Sequence, residues 1–135
     1  MRKCMCVLLA ALLVLMCAAG CHGQNAAPNE LLPGAEGISG ITVTSMPEGY
    51  HYFFSGEQAV TLAESILEMN VISEYPEDPN IYAGMTWVIT AQYEDGLTAT
   101  VYLFGNMFIR SGDGPWFKVS INEAENFERL LTSLS

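Results

Sequence analysis

Residues able to do chemistry are few in this chain, and their spacing limits what the protein can be. There are two histidines, His22 and His51. His22 stands in a polar stretch, so a histidine-dependent triad would have to use His51. His51 alternates out of phase with Tyr50, Tyr52 and Phe54 in a strand-like segment, and an isolated strand histidine is ordinarily structural. Glu74, Glu77 and Asp78 stand close together with Asn80 nearby. Oxygen ligands on a loop suit Ca²⁺, which takes about six to eight of them, but the spacing is not that of an EF-hand and no glycine falls at the required turn. These three are the only candidate cation ligands, and they read first as a solvated acidic loop. No G-x-S-x-G, Ser-x-x-Lys, H-E-x-x-H or G-x-x-x-x-G-K-[ST] pattern occurs. A glycosidase-type pair needs two carboxylates held across a cleft, for which a small single sheet has little room. The expectation is a non-catalytic protein without a cofactor.

Composition narrows the field further. The 135 residues are 50% hydrophobic, the length of one domain and too apolar for disorder. Fifteen acids face five bases, a formal charge of −10. Such a surface repels phosphate backbones, which excludes nucleic acid as a partner.

The N-terminus reads as an export signal. Arg2 and Lys3 precede an unbroken apolar run from Val7 to Cys17, followed by Ala18-Ala19-Gly20-Cys21. A basic segment, a short apolar core and small residues before a cut site are the three parts of a secretory signal. A permanent membrane helix would need about 20 apolar residues. Ala18-Ala19-Gly20-Cys21 resembles the bacterial lipobox, with Ala18 standing where that family prefers Leu. The resemblance implies lipidation of Cys21, cleavage before it, and residence on the extracytoplasmic face of the cell membrane as a lipid-anchored lipoprotein. Removal of residues 1–20 would take Cys4, Cys6 and Cys17 with it. The mature chain then has no disulfide and no cysteine nucleophile, and its charge balance becomes −12, three bases against fifteen acids.

Residues 21–37 are polar, rich in glycine and proline, and without periodicity, so they read as a flexible tether. The domain is placed at 38–135. Ile41–Thr44 and Tyr50–Phe54 alternate as strands around the turn Met46-Pro47-Glu48-Gly49. Ser55-x-x-Gln58 reads as a capping box opening a helix over about 57–70, with Ala59, Leu62, Ala63 and Ile66 on one face. Residues 73–84, broken by Pro76 and Pro79, read as an irregular loop. Strands follow at 85–93, 97–104, 107–111 and 116–119, separated by Asp95-Gly96, Gly105-Asn106 and Gly112-Asp113-Gly114-Pro115. Ser120-x-x-Glu123 opens a closing helix carrying Ala124, Phe127, Leu130, Leu131 and Leu134. The fold class is α+β: a single two-layer domain, an antiparallel β-meander with two helices in the order β(β)-α-β-β-β-β-α. The strand ends Tyr93-Glu94-Asp95-Gly96 and Phe104-Gly105-Asn106, the aromatic Trp116 after a glycine turn, and the closing helix are together similar to small uncharacterised lipoprotein domains of Gram-positive bacteria. That resemblance implies a fold and a location, and carries no catalytic motif.

Both strand phases carry aromatic residues, more than two small helices can cover. Leu97, Ala99, Val101 and Leu103 continue the phase of Met85, Trp87 and Ile89 and are assigned to the helices. Tyr102, Phe104 and Phe108 then face outward, flanked by the loop with Tyr75 and Tyr82. These five are the candidate contact residues for a protein partner in the cell envelope. Two other readings stay open: a small envelope enzyme using carboxylates and His51, and a surface that binds divalent cations or cationic peptides.

Overall fold

A computed structural model describes residues 31–135. The expected export signal, Cys21 and residues 22–30 of the expected tether lie outside the described residues. The chain forms one antiparallel sheet of seven strands with two helices on one face. In chain order these are β1 (Ile38–Met46), β2 (His51–Ser55), α1 (Gly56–Leu67), β3 (Val71–Tyr75), β4 (Thr86–Tyr93), β5 (Thr98–Phe104), β6 (Phe108–Ser111), β7 (Trp116–Val119) and α2 (Ile121–Leu134). A 3₁₀ turn covers Pro79–Ile81 between β3 and β4. Across the sheet the strands run β2-β1-β4-β5-β6-β7-β3. Strands β4 to β7 are the expected meander, and the domain is α+β.

The inner face is set by the register. Phe54, Ile41, Ala91 and Ala99 form one cross-strand row, and Ser45, Trp87, Leu103, Ile109 and Phe117 another. Against these rows α1 buries Ala59, Leu62, Ala63 and Ile66, and α2 buries Ala124, Phe127 and Leu131. Trp87 Nε1 donates to Glu128 Oε1 at 3.0 Å, tying α2 to the middle of the sheet. Ser45 is the one buried polar residue among those described, and its Oγ accepts the Tyr50 backbone N–H across the β1–β2 turn.

Local detail departs from expectation in four places. Ser55 precedes α1 but its side chain makes no capping bond; Gly56, at φ +56°, turns the chain directly from β2 into the helix. Ser120 does cap α2, accepting from the Glu123 N–H at 3.3 Å. Residues 73–75 are not loop: they end strand β3, which pairs Val71, Ser73, Glu74 and Tyr75 with β7 and adds an edge strand to the expected order. Residues 31–37 are not tether, because Leu31 and Leu32 are buried in the main core and the Tyr93 hydroxyl donates to Gly34 O at 2.8 Å. Leu97, assigned inward, is exposed in the β4–β5 turn. That turn itself forms as its residues dictate, with Gly96 at φ +87° and Asp95 Oδ1 accepting the Leu97 N–H.

Candidate functional site

The face opposite the helices carries a second, smaller core. Phe104 pairs with Phe108 across β5 and β6, Tyr102 pairs with Arg110, and Tyr75 pairs with Trp116 across β3 and β7. Strict alternation puts all six side chains on the outer face, while Val101, Leu103 and Ile109 turn to the helices. Phe104, Phe108 and Trp116 are buried there, with Tyr75 and Tyr102 packed against them.

What covers these rings is the chain between β3 and β4. It leaves the sheet edge at Tyr75, makes the 3₁₀ turn over Pro79–Ile81, and returns to the centre at β4. On the way the Tyr82 ring stacks parallel over Phe108 at 6.3 Å, and Gly84 runs beside the Phe104 ring and Gly105. A Cβ at Gly84 would meet both at 3.4 Å, an ordinary van der Waals contact. Tyr75 and Phe108 lie 4.6 Å apart at a 39° tilt. The Asp78 carboxylate accepts the Asn80 N–H and side-chain amide, which holds the 3₁₀ turn.

The five candidate contact residues therefore do come together, but not as one exposed patch. Phe104 and Phe108 are each only 5% exposed and form the floor. Tyr75 and Tyr102 are half-buried, and Tyr82 at 52% and its neighbour Ile81 at 71% form the rim. The expectation that Phe104 and Phe108 lie open to solvent is corrected by the loop that crosses them. The Tyr75 hydroxyl lies 3.3 Å from that of Tyr82 and donates to Glu77 Oε2 at 3.2 Å. Its pKa is raised above the usual phenol value, first by the hydrogen bond with Tyr82, then by desolvation and by the Glu77 carboxylate.

Two basic side chains join the cluster, neither of them among the residues expected from the sequence. Lys118 Nζ sits 5.2 Å from the Tyr75 ring centre. The Arg110 guanidinium carbon is 4.8 Å from the Tyr102 ring centre and 4.6 Å from that of Trp116, a cation held between two aromatic faces. Arg110 Nε is buried and has no hydrogen-bond partner among the described residues. The signal was in the sequence: Phe108 and Arg110 share a strand phase, and the Gly105-Asn106 turn lays them against Phe104 and Tyr102.

Of the other candidates, His51 stands apart from this cluster, while Glu77 meets it at Tyr75. His51 is exposed on edge strand β2, its Nδ1 3.2 Å from Thr44 Oγ1. Glu74 takes the inner strand phase, opposite to Tyr75, while Glu77 and Asp78 are engaged with Tyr75 and Asn80. Among the described residues no group of three or more His, Cys, Asp or Glu side chains could hold a metal ion. Glu74, Glu77 and Asp78 are thus not assembled as a ligand set. Among the described residues, also, no helix is long and apolar enough to cross a membrane. Comparison with known proteins returns no family model, curated protein or solved structure that matches this chain.

Proposed function

We propose that this chain is a lipid-anchored extracytoplasmic lipoprotein whose domain is a non-catalytic binding module, holding a protein partner of the cell envelope on the outer face of its sheet. The anchor rests on the three-part signal ending in Ala18-Ala19-Gly20-Cys21. The observation that carries the binding role is the aromatic cluster on the helix-free face. A buried floor of Phe104, Phe108 and Trp116 supports a rim on which Ile81 and Tyr82 stand exposed. Rigid aromatic side chains beside cationic ones are the residue types that dominate binding energy at protein contacts. No other described surface combines these features.

Two experiments test the two halves. Mass spectrometry of the membrane fraction should find an acylated Cys21 at the mature N-terminus, and Cys21→Ala should release the protein from the membrane. A mature N-terminus elsewhere refutes the anchor. For the face, a photoreactive phenylalanine analogue at Ile81 should give one discrete cross-linked product in intact cells. The same analogue at Ile121, also exposed, on α2, should not. Absence of a product at Ile81, or identical products from both positions, refutes the placement of the contact.

A further inference from the structure

Beside the stacked arginine lies a hollow of about 310 Å³, lined by the Glu74–Asp78 stretch on one side and by Arg110, Pro115 and Trp116 on the other. Its chemistry is two-sided. The Arg110 guanidinium carbon lies over the rings of both Tyr102 and Trp116. The Nε edge is buried and unpartnered among the described residues. What this arginine still offers is the in-plane Nη edge, the edge that grips a carboxylate with parallel hydrogen bonds. Contact with the two rings restrains the side chain in advance, so little side-chain entropy is lost when an anion docks.

A simple anion is nevertheless a poor fit, because Glu77 and Asp78 line the same hollow and the domain as a whole is strongly acidic. Their charge repels a bare carboxylate and attracts one that carries a cation close by. Exposed Pro115, beside Trp116 in the lining, suits the aliphatic stem between the two charges. The volume is at the small end for a ligand site, enough for one or two amino-acid residues.

We propose that this hollow binds a carboxylate with an ammonium group a few bonds away, such as a peptide chain end terminating in lysine or the free amino acid itself, with Arg110 on the carboxylate and Glu77 and Asp78 on the ammonium. The proposal rests on the reading of the outer face as the binding surface and names the chemistry recognised there.

The test is an NMR titration of the full-length protein, following the Arg110 Nε–H and Trp116 indole signals. The probes are the dipeptide Ala-Lys, its C-terminal amide and Ala-Ala, all N-acetylated so that lysine Nζ is the one ammonium in play, together with free lysine and acetate. Ala-Lys should shift both signals saturably. Its amide should bind at least about tenfold more weakly, the effect of losing a charge-assisted pair. Acetate should not saturate, and Ala-Ala should bind several-fold more weakly than Ala-Lys. Free lysine matching Ala-Lys assigns the ligand as the amino acid, and free lysine binding more weakly assigns it as a chain end. Arg110→Lys keeps the charge but loses the fork, and should abolish the preference of Ala-Lys over its amide. Glu77→Gln keeps an acceptor for the Tyr75 hydroxyl and should remove the preference of Ala-Lys over Ala-Ala while the domain stays folded. Equal binding of Ala-Lys and its amide to the unmodified protein overturns the proposal, as does an unchanged preference in Arg110→Lys. If the Ile81 cross-link forms while Ala-Lys fails to bind, the ligand class falls and the binding face stands. If both fail, the face falls with it.

Discussion

Truncating Phe108 to alanine separates a second core from an open aromatic patch. The ring is 5% exposed and has three aromatic neighbours, with centroids at 4.6 Å to Tyr75, 6.3 Å to Tyr82 and 6.5 Å to Phe104. A buried aromatic side chain removes about 150–250 Å² from water. At about 25 cal/mol per Å² that corresponds to about 4–6 kcal/mol. The compactness of real unfolded chains and the retained Cβ bring the difference down to about 3 kcal/mol, the lower end of the usual Phe→Ala range. In urea, with a slope of about 1.5 kcal/mol/M, the midpoint should fall by about 2 M without a change in slope. Phe53→Ala is the control: its ring lies on the same outer face but is 62% exposed, beside Gly40 on the β1–β2 edge. It should cost no more than about 0.5 kcal/mol. If Phe108→Ala unfolds at the same urea concentration as the unmodified protein, the rings opposite the helices are not a core, and the floor-and-rim description is wrong.

Other perturbations probe the remaining structural claims. Leu32→Ala should cost about 2–5 kcal/mol by thermal or urea melts, because the side chain is 2% exposed in the main core; a neutral result would return residues 31–37 to the tether. Glu128→Ala should destabilise by about 1–2 kcal/mol and shift the Trp87 indole signal, whereas Glu128→Gln, which keeps an acceptor, should do less. Alkaline pH should weaken the fold through Tyr75 and Tyr93, whose pKa values are raised above 10.0, for Tyr93 chiefly by burial. With the folded values above the unfolded ones, this stabilisation is complete below about pH 10 and fades as pH climbs through the folded values. The melting temperature should therefore drop more steeply above about pH 10 in the unmodified protein than in a Tyr75→Phe, Tyr93→Phe double variant.

The strand-and-turn skeleton was legible because glycine positions and period-two alternation agree with one another over residues 85–119. Asp95-Gly96 and Gly105-Asn106 both place residues at positive φ, and the phases of β4 and β5 follow from them. Strand β3 was not legible. Val71-Ile72-Ser73-Glu74-Tyr75 has no alternation of apolar and polar residues, since an edge strand with Ile72 63% exposed is under little pressure to show one. Leu31 and Leu32 were hidden for a related reason: two apolar residues in a glycine- and proline-rich stretch have no period, and only the core they enter reveals their role. The candidate site was half legible. The aromatic excess on the outer phase of β5 and β6 was visible, but which rings end up covered depends on a loop whose path the sequence does not spell out.

That loop decides how the outer face can be read functionally. Without the 76–85 crossing, Phe104, Phe108 and Trp116 would make an open apolar strip, an aggregation hazard for a sheet with two free edges. With it, the rings become a rigid floor whose energy goes into folding. Recognition is left to what stands above the floor: Ile81 and Tyr82 on the crossing, and the fixed edge of Arg110 beside it. Floor and rim therefore separate by experiment. Substitutions at Phe104 or Phe108 should lower stability, and should lower binding only in proportion to the unfolded fraction. Substitutions at Ile81 or Arg110 should lower binding in molecules that remain folded. A Phe104→Ala protein that stays folded but loses its partner would reverse these roles and make the floor the contact itself.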